Sequence, residues 1–581
     1  MAFHSLKSSR KAKETRSFVT AQSTPSGESH SINANHAYDE GDLISATEET
    51  ELVPLNGLYE RLSSLALEVR KSSQYGRGIY SKLDAKAGSI LISIKPNVSV
   101  LSASCLSSYC SSCCGPALDS GLKRCTRCRT VWYCNAICQN RDWPIHKLEC
   151  DALQKWALNA PSHDVSVPSD AVRCLGRILW SEQKEGLGSN FTKEINLMQS
   201  RKLYFGNCRK LTSAGDLVDL ISRFTTNTFT LTSHTLTPIG ICVCPTIAFT
   251  NHSCDPNAVI VFPRASSDAS VQEPLLNLVS IKDIKPNEEV RISYIDTTLP
   301  KELRKKDLKE TYNFTSLKRM SIREFLCGAL NLVAVNAQYP QKVANSIRLN
   351  GMAHSFCVCL LENAMTRCTQ CKTAVTSVDS VLDALRVGQE AFDKVTLLQS
   401  KDPKKAKHIT TNMLPILTSA GLTPSCHPLL ALTRLHLELL IASLSSALTQ
   451  DCLDETIRTA GMYSAGLTLL LPKGHPVRGI ALGELGKLLA VDEPSPATDP
   501  SKDSTKFPPS GPPRLKLAYE YLVRAYDELI IGFGRQNGGG QVGSQIREAI
   551  VRLEKELGVW THGIQNVLED TRAVESRGPK E

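Results

Sequence analysis

The chain has 581 residues, of which 41% are apolar and 22% charged, and it carries 21 cysteines and a formal net charge of +9. This length exceeds what one hydrophobic core organises, so we expect two or more globular domains and exclude a wholly disordered chain. The positive charge is spread without a long Lys/Arg block, so direct nucleic-acid binding is not indicated. No apolar run approaches the ~18 residues of a membrane span, so no membrane association is predicted.

Polar residues dominate the start of the chain. Residues 1–60 are rich in Ser, Thr, Asn and Glu and predict a disordered tail. The basic stretch from Met1 to Arg16 is followed by no apolar segment, which argues against a secretory signal; a mitochondrial presequence is the alternative to a tail. Without a secretory signal, clustered cysteines indicate metal binding, whereas scattered ones such as Cys174 and Cys426 are expected to be buried small hydrophobes.

Two β-rich segments flank a cysteine cluster. Strand-like patterns occur at residues 66–69, 78–80 and 89–93, and again after the cluster at 258–262 and 289–294. Residues 151–225, between the cluster and the second β-rich segment, have a mixed, helical pattern. After about Val375, apolar residues recur at spacings of three and four, which predicts an all-helical domain with a solvated loop at 493–513. The overall fold class is therefore expected to be α+β.

The cluster contains eight potential metal ligands. They are two C-x-x-C pairs, Cys110 with Cys113 and Cys125 with Cys128, followed by Cys134, Cys138, His146 and Cys150. Zinc prefers thiolate and imidazole ligands in a tetrahedral shell, and eight ligands fill two such shells. Closed shells leave no position for a water nucleophile, so two structural zinc sites are predicted, not a hydrolytic one. Cys114 is expected to be an extra cysteine that binds no metal.

Three short motifs surround this cluster in a characteristic order. Tyr75-Gly76-Arg77-Gly78-Ile79 precedes it, whereas Asn251-His252-Ser253-Cys254 and then the segment Glu288 to Tyr294 follow it. A lone Gly-x-Gly indicates only a turn, but the ordered set resembles the SET domain of protein lysine methyltransferases. The cluster resembles a MYND finger, including Trp132-Tyr133-Cys134. With the finger inserted between the first and second motifs, the chain resembles the SET-and-MYND family from about residue 62 to residue 371.

The resemblance implies a domain organisation. It predicts the first SET part at 61–105, the MYND finger at 106–150, a helical insert at 151–225 and the SET core at 226–300. A post-SET zinc region is then expected at 301–375. Residues 376–581 are similar to the family's tetratricopeptide-like helical domain.

The same resemblance implies an S-adenosylmethionine-dependent protein-lysine N-methyltransferase with an α+β, β-rich SET domain. Methyl transfer to an amine needs an aligned, deprotonated lysine, whose pKa is ordinarily about 10.4, and needs neither a metal nor a strong acid. Tyr294, where the two substrates would meet, and Tyr312, which would wall the lysine channel, are the catalytic residues carried over. The cofactor-binding residues carried over are Gly76, Arg77, Gly78, Asn227, Asn251, His252, Tyr294 and Phe314. His252 is expected to position a ligand or to pack rather than to act as a general base.

For the metals, the resemblance implies interleaved ligand sets. Cys110, Cys113, Cys134 and Cys138 would hold one zinc ion, and Cys125, Cys128, His146 and Cys150 the other. A third zinc ion is implied on Cys254, Cys357 and Cys359.

The chain departs from the family pattern at residues 316–356, which separate Tyr312-Asn313-Phe314 from Cys357-Val358-Cys359. In one interpretation the insert loops out and Cys368 or Cys371 completes the third zinc site. In the other, which we favour, it is a gene-model error such as an unspliced intron. A real insert would separate Phe314 from its zinc anchor and lower the affinity for the cofactor.

A second function follows from that departure: a catalytically weak adaptor whose finger and helical domain bind partner peptides. The partners expected from the resemblance are a protein substrate that offers a lysine side chain and proline-rich peptides bound by the finger. A monomer located in the nucleus, the cytoplasm or both is expected. The acceptor protein and the degree of methylation are not specified by these patterns.

Overall fold

The computed structural model describes residues 50–52, 66–72, 76–117, 120–186, 188–198, 214–265, 273–312, 330–332, 356–358, 367–368, 378–445, 448–494 and 507–575. Residues 1–49 of the predicted tail and most of the insert at 316–356 lie outside these ranges. Within them, no helix combines the length and the apolar character that crossing a bilayer requires.

The strands form several small sheets. In chain order they are β1 (Thr50–Leu52), β2 (Leu67–Ser72), β3 (Gly76–Ser81), β4 (Ile90–Ile94), β5 (Val98–Leu101), β6 (Lys123–Arg124), β7 (Trp132–Tyr133), β8 (Thr228–Thr232), β9 (Pro238–Val243), β10 (Asn251–His252), β11 (Ala258–Val261), β12 (Leu276–Ser280), β13 (Arg291–Ile292), β14 (Leu330–Leu332), β15 (Phe356–Val358) and β16 (Arg367–Cys368). The sheets have the orders β1-β2-β3, β11-β12-β4, β5-β9-β8, β6-β7 and β14-β15-β16, and β10 pairs in parallel with β13.

Strands from before and after the cysteine cluster share these sheets. β4 pairs antiparallel with β12, and β5 pairs antiparallel with β9, which follows the cluster. The cluster is therefore an insertion that leaves and re-enters one β-rich unit. Its core contains fully buried Val69, Ile79, Leu278 and Val290, as expected where alternating apolar residues face inward.

Twelve helices fall in the described ranges. They are α1 (Ala136–Asn159), α2 (Asp170–Glu185), α3 (Asn190–Leu197), α4 (Ala214–Asn227), α5 (Lys301–Tyr312), α6 (Val378–Leu398), α7 (Pro403–Ser419), α8 (His427–Leu444), α9 (Gln450–Leu470), α10 (Pro476–Leu489), α11 (Pro512–Gly532) and α12 (Gly540–Glu575). The apolar stripe predicted in α8 is buried at Leu429, Leu432, Leu435 and Leu439. The predicted all-helical C-terminal region is thus confirmed, while its tetratricopeptide-like character stays a prediction.

The helical region packs directly on the β-rich unit. Val261 and Val279 of the β11-β12 pair share one buried apolar cluster with Leu482 and Leu529 of α10 and α11. Beside it, the backbone N–H of Arg535 donates to the carbonyl oxygen of Gly88 at 2.8 Å. These contacts fix the helices against the strands, so a site can form between the two.

Three local expectations were wrong. The predicted disordered tail reached residue 60, but β1 lies within it because Thr50 to Leu52 pair antiparallel with β2. The strand predicted at 289–294 is limited to Arg291–Ile292. The loop predicted at 493–513 ends earlier than expected, because α11 begins at Pro512, a residue suited to the first helical turn. The insert also contributes structure, since β14 pairs with β15.

Candidate active site and zinc finger

Gly78 of β3, Asn251 of β10 and Glu289, which precedes β13, lie close together and form a narrow cradle. A Cβ atom at Gly78 would lie 2.5 Å from Oε1 of Glu289 and 3.0 Å from Nδ2 of Asn251, so a side chain there would have to displace Glu289. Gly76 has a φ of +74°, a left-handed conformation that favours glycine. Both predicted glycines therefore have a structural reason to be glycine, and they keep the backbone of β3 open to close approach.

The side chain of Asn251 is fixed in one orientation. Its Nδ2 donates to the backbone oxygen of Arg77 at 3.1 Å and to Oε1 of Glu289 at 2.7 Å. Glu289 is itself buried, and its other carboxylate oxygen accepts from Nε of Arg291 at 2.5 Å. Because both amide hydrogens of Asn251 are used, its carbonyl oxygen is the atom left to accept a hydrogen bond from a ligand.

Arg77 points its side chain toward the helical insert. One guanidinium nitrogen donates to the backbone oxygen of Leu197 at 2.8 Å, and the guanidinium lies 4.7 Å from the ring centroid of Phe249. The arginine thus ties β3 to the end of α3. Its place in the cofactor-binding set stays a prediction.

His252 is a neutral, half-buried group. Its Nδ1 accepts from the backbone N–H of Tyr294 at 3.1 Å, and its Nε2 lies 3.4 Å from Sγ of Cys254. Burial, together with Arg304, lowers the pKa of His252 to about 4. The imidazole is therefore uncharged near neutral pH and orients the backbone at Tyr294, in keeping with a positioning group rather than a general base.

Two tyrosines line one end of a cavity. Their ring centroids lie 4.9 Å apart, the hydroxyl of Tyr294 donates to the backbone oxygen of Thr250 at 2.6 Å, and the hydroxyl of Tyr312 donates to the backbone oxygen of Tyr294 at 3.5 Å. Burial raises the pKa of Tyr294, with a further contribution from Tyr312, so its hydroxyl keeps its proton. Asn227, at the end of α4, lines the same cavity.

This cavity has a volume of about 420 Å³ and two walls of different origin. The β-rich unit and the end of α5 supply the tyrosine end, and α8, α9 and the N-cap position of α10 supply Arg434, Tyr463 and His475. Pockets that hold small ligands or side chains are commonly of this size, largely apolar and placed between domains. A flexible segment that enters between the walls can reach Tyr294.

The predicted residues are only partly brought together. Gly78, Asn251, His252 and Tyr294 form one connected group, while Tyr312 and Asn227 join it through the cavity. Phe314 and Cys359 lie outside the described residues, and so does the side chain of Cys357, although its backbone belongs to β15. Cys254 lies beside His252, and its role in a third zinc site stays a prediction.

Sequence reasoning missed two contributors to the site. Glu289 orients Asn251, and the only signal for it was an acidic residue within the segment that ends at Tyr294. The second wall of the cavity comes from helices far along the chain, which the sequence pattern marked only as packing helices.

The eight predicted zinc ligands gather in the two predicted sets. Within the described residues, Cys110, Cys113, Cys134 and Cys138 form one group and Cys125, Cys128, His146 and Cys150 the other, with the ligand atoms of each group within 4.8 Å of one another. Tetrahedral zinc with Zn–S bonds of about 2.3 Å places its ligand atoms about 3.8 Å apart. Sγ of Cys113 and Cys134 are 3.7 Å apart, and Sγ of Cys128 is 3.8 Å from Nε2 of His146. The donor sets therefore fit zinc.

Local structure explains how the ligands converge. β6 and β7 form a short ribbon, and the Asn135 side chain caps α1 by accepting from the backbone N–H of Cys138 at 3.0 Å. His146 and Cys150 lie one helical turn apart on α1 and so share a face. Cys114 is buried with a φ of +53° and belongs to neither set, as expected.

Comparison with known proteins agrees with this geometry. The MYND finger family matches residues 108–150. N-lysine methyltransferase SMYD2 of Gallus gallus is 30% identical over 287 residues, which is 46% of this chain and 60% of that protein. SET domain and MYND-type zinc finger protein 6 of Schizosaccharomyces pombe is 31% identical over 253 residues, or 42% of this chain and 49% of that protein. Histone-lysine N-methyltransferase SMYD3 of Homo sapiens is 31% identical over 217 residues, or 33% of this chain and 47% of that protein.

The chain therefore combines a MYND finger with similarity to proteins named as lysine methyltransferases or as SET-domain proteins. The chain is similar to members of the SET-and-MYND family over 33% to 46% of its length. The matches span between 47% and 60% of the length of these three relatives.

Proposed function

We propose that this chain is an S-adenosylmethionine-dependent protein-lysine N-methyltransferase. The observation that carries the proposal is the continuity between the Gly78–Asn251 cradle and the Tyr294 hydroxyl, which lies at the end of the cavity between the β-rich unit and the helices. The relatives named as lysine methyltransferases support the same activity.

The cradle suits a cofactor that carries a cationic amino-acid end. Gly76 and Gly78 allow the ligand to approach the backbone, and the carbonyl oxygen of Asn251 accepts a hydrogen bond from it. His252 would hold the backbone at Tyr294 in register with that ligand. When bound, S-adenosylmethionine supplies a methyl group on a sulfonium, an electrophile that needs no metal.

The cavity suits the acceptor. A peptide held between the two walls would direct a lysine side chain along Tyr312 toward Tyr294. The Tyr294 proton is engaged with the Thr250 carbonyl, so the phenolic oxygen presents lone pairs to the incoming amine. Removal of water by the apolar lining favours the neutral amine that the displacement requires.

For the metals, we propose two zinc ions in the finger, one on each of the two sets of four ligands. A third ion is proposed on Cys254, Cys357 and Cys359; in the interpretation in which residues 316–356 loop out, Cys368 or Cys371 would be its fourth ligand. Metal analysis of the full chain tests the count, because three ions per chain are expected and two would remove the third site.

Partner binding by the finger is the second candidate function. Ile137 and Trp143 of α1 are exposed, at 59% and 38%, on the finger surface. Aromatic surfaces bind proline-rich segments, so we propose such peptides as partners. We also propose a monomer in the nucleus, the cytoplasm or both, which light scattering and imaging of a fluorescent fusion test.

The decisive experiment for the enzyme is methylation of a proteome extract with isotope-labelled S-adenosylmethionine. Labelled lysine is expected with the natural chain and not with a Tyr294→Phe variant. Calorimetry separates the two functions: a folded protein that binds no S-adenosylmethionine would act as an adaptor.

A further inference from the structure

A buried network of charges joins the zinc finger to α2. Glu149, on α1 within the finger, is 1% exposed and accepts hydrogen bonds from two arginines of α2. Nε of Arg173 donates to Oε1 at 2.9 Å, and Nε of Arg177 donates to Oε2 at 3.1 Å. Both arginines lie outside residues 108–150, which the finger family matches, and both are more than nine-tenths buried.

Glu149 also contacts a zinc ligand. Its Oε2 lies 3.2 Å from Nδ1 of His146, while Nε2 of the same imidazole faces Sγ of Cys128. Nε2 is therefore the nitrogen placed to bind a zinc ion, and Nδ1 would then carry the proton that Glu149 accepts. Metal-bound histidines commonly donate their second nitrogen to a carboxylate, which fixes the tautomer and the ring orientation.

The arginines are anchored on both sides of the network. Arg177 donates to the two carboxylate oxygens of Asp142 at 2.8 and 3.1 Å, and Asp142 accepts from the hydroxyl of Tyr133, the residue before the ligand Cys134. Arg173 donates to the backbone oxygen of Leu101, at the end of β5. The network thus reaches from β5, through α2, to residues beside both zinc sites.

A buried carboxylate keeps its charge and direction only when cations and donors surround it. Here those cations come from α2, whose residues Cys174 and Ile178 are buried against strands β5 and β9. The carboxylate that orients His146 is consequently held by arginines of α2, which lies outside the finger and packs on the β-rich unit.

We propose that Arg173 and Arg177 are positioning residues of the second zinc site, and that they act on His146 through Glu149. Retention of zinc on Cys125, Cys128, His146 and Cys150 then depends on the docking of α2. The first set, which has four cysteines and no imidazole, does not depend on this carboxylate.

The proposal is tested by the rate at which the purified, zinc-loaded full chain releases zinc to a coloured chelator. Arg177→Gln is expected to speed the release of one zinc ion per chain by roughly 10–100-fold, the usual effect of losing an outer-shell partner of a metal ligand. Arg127→Gln is the matched control, because Arg127 pairs with Asp151 at 2.8 Å on the exposed surface of the same finger. Equal release rates for the natural chain and Arg177→Gln would overturn the proposal.

Two further variants separate positioning from a general loss of stability. If Glu149 acts through the imidazole, Glu149→Gln should speed zinc release in the natural chain but much less in a His146→Cys background, since a thiolate needs no second hydrogen bond. An equal effect in both backgrounds would show that the network stabilises the fold without acting through His146. Arg177→Lys, which keeps the charge and loses the paired contacts, serves if Arg177→Gln does not fold, and an intermediate release rate is then expected. A rate equal to that of the natural chain would again count against the proposal.

Discussion

The phenolic hydroxyl of Tyr294 donates to the backbone carbonyl oxygen of Thr250 over 2.6 Å. Thr250 directly precedes Asn251, so one hydrogen bond ties the end of the cavity to the cradle. Because burial raises the pKa of Tyr294, this bond persists across the physiological pH range. The orientation of the phenolic oxygen is therefore set by the fold before any substrate arrives.

Replacement of Tyr294 by phenylalanine should remove methyl transfer without unfolding the chain. The ring keeps its packing, but the oxygen that faces the acceptor is lost, and we expect the turnover number to fall roughly 100-fold or more. Tyr519→Phe is the control, since that hydroxyl contacts Glu554 at the surface. A Tyr294→Phe enzyme with native turnover would remove Tyr294 from the catalytic set.

Introduction of a methyl group at Gly78 should weaken cofactor binding. The new Cβ would lie 2.5 Å from Glu289 Oε1 and displace the carboxylate that orients Asn251. Calorimetric titration of Gly78→Ala with S-adenosylmethionine is expected to show at least a 10-fold weaker affinity. Gly558→Ala is the control, because the new methyl group meets no atom within 4 Å. Its affinity for the cofactor should be unchanged, and its free energy of unfolding should rise by about 0.5–1 kcal/mol because alanine favours the helix. Native affinity in Gly78→Ala would contradict the cradle.

Zinc content should distinguish ligand cysteines from their neighbour Cys114. Cys125→Ser removes one thiolate of the second set, so zinc measured by mass spectrometry should fall by one ion per chain. Cys114→Ala should keep the full content, because Cys114 belongs to neither set. A loss of zinc in Cys114→Ala would require a different assignment of the ligands.

Acid should destabilise the chain in part through His475. This residue caps α10 by accepting from the backbone N–H of Val477, and the surrounding packing lowers its pKa to about 4, with Asp296 raising the pKa and Arg478 lowering it further. Between pH 6.5 and 4 the unfolded chain binds a proton that the folded chain does not, so stability falls as the pH drops through this window. The contribution of neutral His475 to the free energy of unfolding is thus complete above pH 6.5 and is lost as the pH falls toward 4.

Replacement of His475 by asparagine tests that dependence. Asparagine also caps helices but does not titrate. The melting temperature of His475→Asn should therefore fall less between pH 7 and pH 5 than that of the natural chain. Identical pH dependence of the two melting curves would exclude His475 as a contributor.

Sequence reasoning succeeded where the chemistry is local. The zinc ligands were found from spacing, because a tetrahedral shell constrains which positions can meet, and the strands around Gly78 followed from alternation. Glu289 and the α2 arginines were not found, since their roles depend on contacts between segments far apart in the chain. The second wall of the cavity was missed for the same reason: a helix that packs and a helix that lines a cavity have similar apolar periodicity.

The two walls of the cavity also differ in when they are made. The β-rich wall ends at Tyr312, whereas the helical wall extends to Ala481. At ribosomal speeds of about 5–20 residues per second, the second wall emerges on the order of ten to thirty seconds after the first. A nascent chain therefore completes the finger and the cradle while its cavity is still open on one side. Enclosure of the proposed acceptor segment requires the C-terminal helices, so the proposed cofactor site is translated before the second wall of the proposed substrate site.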